Sequence, residues 1–403
     1  MTSSQSGATG TLPTAGSTEG GMDSLGEATI VATQFAPPQP MTAHEVASSV
    51  RRWAVEKNIC QALPQAVENA VLVGVDVAVF NEAQEAFLRT KGITSIVFND
   101  ADKKVLIYTR RKVTKTEAKH LPNYINGCEI EYPLGHVEDL SQIPATAQAA
   151  TYAVVSSAGT LRYACGSSVS PGNTESAGTL GALVRDQAGG IFGLSNNHVT
   201  GSCSHSEPDL PILAPGVLDV GPGGLFPFTI GLHAAALPMH VGTQGNVNIF
   251  ENQDAAIFRI LDEARVSSMQ RTFYDTPGQV EDPMVGMVVE KVGRTTEHTT
   301  GVIVGQELIP IRVGVNANSY GFQGQVYFAN VFVIHGDQDI FSDGGDSGSL
   351  IVCRKIDGSR TSVGLLFAGG PDSSAPGHRK TLMLPLKPIL DVLGVTLVHG
   401  HNV

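Results

Sequence analysis

Apolar positions change their spacing twice along the chain. Over residues 1 to about 40 they are sparse among Ser, Thr, Gly and Pro, closing on Pro37-Pro38-Gln39-Pro40. Such a stretch cannot bury enough apolar surface to offset the entropy of ordering it, and it reads as a disordered tail. From Thr42 the spacing becomes helical: Val46, Val50, Trp53 and Ala54 share one face, and Thr42 with Glu45 has capping-box spacing. A second helical stretch over residues 81–90 closes at Gly92, and two β-type runs follow at 93–98 and 104–108, separated by Asn99-Asp100-Ala101-Asp102. With a third run at 129–132 they predict a small α+β domain over residues 41–140. From Tyr152 onward short alternating runs are punctuated by Gly, Pro and Asn, with a hairpin over 178–196 that turns at Asp186 to Gly190. A short helix at 386–393 ends before Gly394, the residue a helix C-terminus favours. The composition shift at Ile143-Pro144-Ala145-Thr146-Ala147 reads as a linker between residues 41–140 and a second domain over 150–403.

Composition sharpens this picture. In 403 residues, 42% are apolar and only 16% charged, with 45 Gly and 22 Pro, a balance suited to many short strands and tight turns. A net charge of −12 disfavours a nucleic-acid partner, whose phosphates call for a basic surface. No run of about 18 apolar residues predicts a membrane span. The first residues lack the basic and apolar regions of a signal peptide, and the five cysteines (Cys60, Cys128, Cys165, Cys203, Cys353) show no paired or metal-type spacing. Both point to a cytoplasmic protein with reduced, buried thiols. The basic cluster Arg110, Arg111, Lys112, Lys115 and Lys119 is either a solvated face or the docking patch of a regulatory protein partner.

Chemistry concentrates at Gly344-Gly345-Asp346-Ser347-Gly348-Ser349, where glycines free the backbone to bend around a nucleophile and to present amides to an oxyanion. A serine hydroxyl needs a base as it attacks. Leu194-Ser195-Asn196-Asn197-His198-Val199 offers one, because a β-type run ends there at a histidine in a polar loop. A buried carboxylate must then fix the imidazole tautomer. Asp254, in Asn252-Gln253-Asp254-Ala255-Ala256-Ile257-Phe258, fits better than Asp209, Asp219 or Asp262, which lie in Pro-rich or post-strand segments.

The order His198, Asp254, Ser347 is that of chymotrypsin-like enzymes. With these motifs the chain resembles trypsin-like serine peptidases, in detail the bacterial and plant group related to the plant narrow-leaf protein. Val292-Gly293-Arg294-Thr295-Thr296 with Thr300-Gly301, and Val363-Gly364-Leu365-Leu366-Phe367-Ala368-Gly369, are similar to second-barrel segments of such enzymes, although Glu297 stands where a glycine is usual. The resemblance covers about residues 160–398 and implies a mostly β, double six-stranded barrel of chymotrypsin type. It implies an endopeptidase acting on protein or peptide substrates with no metal ion and no organic cofactor. The amides of Gly345 and Ser347 then form the oxyanion hole, and Phe367, Ala368 and Gly369 pair with the substrate backbone. Phe341 lies at the floor of the specificity pocket, favouring a modest apolar side chain, unless Asp343 turns in and selects a basic one. In animal relatives the Asp beside the nucleophile pairs with a newly cut N-terminal amine. Arg162-Tyr163-Ala164-Cys165-Gly166 lacks the Ile-Val start of such an amine, so Asp346 is expected to find an internal cation, Lys291 first and Arg294 second. A catalytically silent binding module, an esterase on the same triad and a structural protein are the alternatives.

Overall fold

The computed structural model describes residues 41–140, 154–220, 227–245 and 247–403, all within one compact unit from Pro40 to Val403. The expected tail, and the expected linker at 143–147, lie outside the described residues.

α1 (Ala43–Glu56) starts at the expected capping box: the Glu45 N–H donates to the Thr42 hydroxyl at 3.1 Å and the Thr42 N–H to the Glu45 carboxylate at 2.9 Å. Val46, Val50 and Ala54 are fully buried, with Trp53 half-buried beside them. α2 (Gln65–Val71) is an element the sequence did not announce; α3 (Glu82–Lys91) is capped by Asn81 and closed by Gly92 at a φ of 71°. β1 (Ile93–Asn99) and β2 (Lys104–Thr109) form an antiparallel pair. After α4 (Lys115–Ala118), β3 (Tyr124–Ile125) and β4 (Cys128–Glu131) extend the sheet, β4 parallel to β2.

Next come β5 (Val154–Ser157), β6 (Thr160–Cys165), β7 (Ser168–Pro171), β8 (Gly178–Thr179), β9 (Ala182–Asp186), β10 (Ile191–Ser195), α5 (Asn197–Thr200), β11 (Pro211–Ala214), β12 (Phe228–Ala236), β13 (Ala256–Ile260), β14 (Val266–Gln270) and β15 (Tyr274–Asp275). The expected hairpin is β9–β10, shorter than foreseen because Gly178 and Thr179 pair with β7 instead. The first barrel is a curled sheet in the order β9-β10-β13-β12-β11-β7, flanked by β8 and by the C-terminal β24 (Val395–Leu397).

The second barrel comprises β16 (Val288–Gly293), β17 (Glu297–Glu307), β20 (Phe332–Gly336), β21 (Leu350–Arg354), β22 (Arg360–Pro371) and β23 (Arg379–Pro385), with β18 (Ile311–Ala317) and β19 (Phe322–Phe328) as a separate hairpin. Its six strands run β16-β21-β22-β23-β20-β17 and close where β17 returns to β16. α6 (Leu386–Leu393) ends at Gly394, left-handed at a φ of 66°. The fold is therefore mostly β, a chymotrypsin-type double barrel. β17 is long enough to reach beyond the barrel: its first half closes the barrel, and its end pairs with β1 at Val97–Glu307 and Phe98–Gln306. The N-terminal α+β region thus continues the sheet of the second barrel.

All five cysteines are free; Cys60 is half-buried and the other four are buried. Burial pushes the Cys165 and Cys203 thiols up to about 12, leaving them unreactive. Among the described residues no helix is long and apolar enough to cross a membrane.

Candidate active site

Strand register explains how residues far apart in sequence meet. β10 and β13 are antiparallel with Ser195 opposite Ala256, so the chain just after β10 and the chain just before β13 emerge at the same end. His198 sits in the single turn of α5 there, and Asp254 lies two residues before β13. The Asp254 carboxylate is fully buried; its Oδ2 is 2.5 Å from His198 Nδ1, and its Oδ1 accepts the His198 backbone N–H at 2.9 Å. Two bonds to one carboxylate fix both the ring and the main chain that carries it. The neighbouring asparagines hold this corner closed. Asn196 Nδ2 donates to the Asp254 carbonyl at 2.6 Å, and Asn197 Nδ2 donates to the Leu237 carbonyl at 2.8 Å. Both asparagines belonged to the sequence motif, yet only the fold shows that they are braces.

Ser347 comes from the loop between β20 and β21. The loop is shaped by its carbonyls: Thr295 Oγ1 donates to the Gly344 carbonyl at 2.6 Å, and Ser349 donates to the Asp346 carbonyl through its N–H at 3.0 Å and its Oγ at 2.6 Å. In a planar trans peptide the N–H points opposite to the C=O. Those bonds therefore turn the Gly345 and Ser347 amides the other way, and neither donates to any group among the described residues. The bend needs glycine: Gly345 has a φ of +96°, and a Cβ there would lie 2.6 Å from Arg294 Nη1. Ser347 and His198 line one cavity of about 400 Å³. No hydrogen bond joins the Ser347 hydroxyl to the imidazole among the described residues, a separation common in sites without substrate.

Asp346 is fully buried. Lys291 Nζ lies 3.3 Å from its Oδ2, also fully buried. Thr296 Oγ1 donates to Oδ2 at 2.6 Å, and the N–H groups of Thr295 and Thr296 donate to Oδ1 at 2.7 and 3.1 Å. Burial holds the Lys291 ammonium below its usual range, against the raising effect of the Asp346 charge. Arg294 does not reach Asp346. It crosses to the first barrel and forms a buried pair with Asp219, its Nε donating to Oδ2 at 2.9 Å. That contact also engages Asp219 away from the histidine.

The substrate-binding expectations divide. Phe341 is 1% exposed in the core of the second barrel, beside Ile303 and Leu366, and does not line the cavity. Its aromatic ring follows the apolar face of the barrel rather than the cleft. Ser342, Asp343 and Arg379 stand in the cavity wall instead. Phe367 is likewise buried, its ring 5.0 Å from that of Phe328, whereas Ala368 and Gly369 line the cavity. Arg379 and Leu140 also line it; neither belongs to a motif, and the sequence carried no signal for them.

A chymotrypsin-type double barrel with a Ser, His and Asp at the junction of its two barrels is the class that fold and site define. No family model matches the chain. Protein NARROW LEAF 1 of rice (Oryza sativa subsp. japonica) is similar to it, 25% identical over 303 residues, covering 66% of this chain and 48% of that protein. The chain thus spans about half the length of this curated relative. Among solved structures, Thermobifida fusca Protease A covers 59% of the chain and 100% of its own at 18% identity, with a TM-score of 0.38. Cellulomonas bogoriensis chymotrypsin covers 58% and 97% at 17% identity, with a TM-score of 0.36.

Proposed function

We propose that this chain is a serine endopeptidase with Ser347 as nucleophile, His198 as general base and Asp254 as the group that orients it. The observation that carries the reading is the Asp254 carboxylate 2.5 Å from His198 Nδ1, in a cavity that His198 shares with Ser347. With its proton on Nδ1, the imidazole leaves Nε2 as the base. The Ser347 hydroxyl adds to the scissile carbonyl while its proton passes to His198 Nε2. The amides of Gly345 and Ser347 receive the oxyanion. The intermediate collapses to an acyl-enzyme as His198 protonates the leaving amine, and water, deprotonated by His198, releases the acid. The surroundings of Asp346 support a nucleophile loop that is set without an N-terminal cut, because Lys291 supplies the cation from within the chain.

The test is reaction with a fluorophosphonate probe and mass mapping of the adduct. Labelling at Ser347, abolished in Ser347→Ala and His198→Ala, supports the proposal; no labelling of folded protein overturns it. A silent binding module is the second reading, favoured by the missing hydrogen bond between Ser347 and His198, and the same experiment decides it. The five free cysteines accord with a cytosolic site of action. A regulatory partner on residues 41–140 fits the exposed Arg110, Arg111 and Lys112.

A further inference from the structure

The edge of β22 that begins at the nucleophile loop is already filled, and by this chain's own backbone. Gly348 N–H donates to the Leu366 carbonyl at 2.9 Å, so the loop bearing Ser347 occupies the start of that edge. Further along, Glu138 N–H donates to the Gly369 carbonyl at 3.0 Å, Gly135 bridges Asp372 in antiparallel register, and Ser373 N–H donates to the Leu134 carbonyl at 2.9 Å. Residues 134–138 therefore run antiparallel to β22 and toward Ser347. Leu140, two residues beyond Glu138, lines the cavity with Ser347 and His198. A peptide whose carbonyl meets Ser347, and which adds a strand to β22, needs this edge in this direction.

The side chain two residues before Leu140 is also engaged. Glu138 Oε2 lies 2.8 Å from Arg379 Nη2 in the cavity wall, both groups about a quarter exposed. Arg379 Nε is buried with no hydrogen-bond partner among the described residues, so the guanidinium has donor capacity left. Asp139 anchors the end of the segment, its Oδ1 accepting the Gly314 N–H at 2.8 Å.

We infer that Arg379 is a specificity-determining residue. It takes an acidic side chain on the acyl side of the scissile bond, in the third residue before that bond, and Glu138 of segment 134–140 holds that place until a substrate displaces it. This rests on the endopeptidase reading for the meaning of the scissile bond, but the occupied edge and the acid-binding arginine are tested by binding alone. An intramolecular occupant competes at high effective concentration, so its removal reads directly as tighter peptide binding.

The experiment uses the full chain with Ser347→Ala, which cannot turn over, and two fluorescent hexapeptides, dansyl-Ala-Glu-Ala-Leu-Ala-Ala and its counterpart with Lys in place of Glu. Binding is followed by anisotropy, with and without Glu138→Lys, which keeps the backbone N–H but repels Arg379. The expected result is binding of the Glu peptide tightened about tenfold or more by Glu138→Lys, with the Lys peptide weaker throughout. Adding Arg379→Glu to Glu138→Lys restores a charge pair in the segment and is expected to weaken the Glu peptide again. Unchanged or weaker binding in the folded Glu138→Lys protein, or equal binding of the two peptides, overturns the inference. If a melt shows Glu138→Lys unfolded, Glu138→Gln carries the same test with an expected gain of about threefold. Fluorophosphonate labelling of the chain with Ser347 intact reports separately on catalysis. Tight binding without labelling would sink the endopeptidase reading and leave the acid subsite standing.

Discussion

Asp346 is a full charge placed where water cannot reach it, and its cost is offset by one cation and four donors. Removing Lys291 would leave Thr295, Thr296 and the Asp343 N–H to hold the carboxylate alone. Breaking a buried pair from one side costs on the order of 3–5 kcal/mol. Lys291→Ala is thus expected to lower the melting temperature and to slow fluorophosphonate labelling by loosening the Gly344 to Ser347 loop, whereas Arg294→Ala should act chiefly through the barrel junction at Asp219. An unchanged labelling rate in Lys291→Ala would show that the threonine donors suffice. On the proposed endopeptidase mechanism, Ser347→Ala and His198→Ala should each cost on the order of 10⁴-fold or more in peptide cleavage. Asp254→Asn should be of similar severity, because the amide favours the wrong imidazole tautomer. Steady-state rates on a peptide substrate, with melts as the folding control, measure both.

At the scale of elements, the motifs carrying His198, Asp254 and Ser347 stand out in the sequence because each lies within a few residues of a strand terminus, where the alternation of apolar residues stops. The register that brings His198 to Asp254 was not legible, since it depends on which strands pair. The turn after β16 shows the same limit. The resemblance calls for a glycine at position 297, and Glu297 adopts a φ of 52° there, with its carboxylate 3.0 Å from Arg271, so the turn forms without one. Phe341 was misplaced because spacing from the nucleophile gives distance along the loop but not the side on which a ring points. Nothing local announced Asp372, whose two oxygens are shared by the Tyr108 hydroxyl at 2.5 Å, His335 Nε2 at 2.8 Å and Ser374. Burial raises its pKa, but the hydrogen bond and charge of His335, with the two hydroxyls, override it and hold the carboxyl well below the usual range. A carboxylate with a depressed folded pKa stabilises the fold fully above its unfolded value of about 4, and that stabilisation is lost as pH falls from there toward the folded value. The melting temperature is therefore expected to fall below about pH 4, with a shallower slope in Asp372→Asn, which is itself less stable at pH 7 by on the order of 3 kcal/mol. Parallel slopes in the two proteins would assign the acid sensitivity elsewhere.

At the scale of the whole molecule, the composition shift near residue 145 suggests a detachable N-terminal region, and the packing argues for the opposite behaviour. Val97, Leu106 and Tyr108 belong to the same buried cluster as Leu365, Phe367 and Leu382 of the second barrel. The Lys380 ammonium, buried and paired with Glu307 at 3.2 Å, lies 3.6 Å from the centre of the Tyr108 ring. Taking away residues 41–140 would expose the end of β17 as an unpaired edge and open a cavity where three large side chains now pack. Each such loss in a core costs about 2–5 kcal/mol, and together they rival the whole stability of a typical domain, about 5–15 kcal/mol. Residues 154–403 expressed alone are therefore expected to be insoluble or to lack a cooperative melt. Residues 41–140 and 154–403 expressed together as two chains should co-purify as a folded pair, since the contacts and not the peptide link hold them. A soluble 154–403 fragment that melts near the temperature of the full chain would show the barrels to be self-sufficient and the shared core to be dispensable.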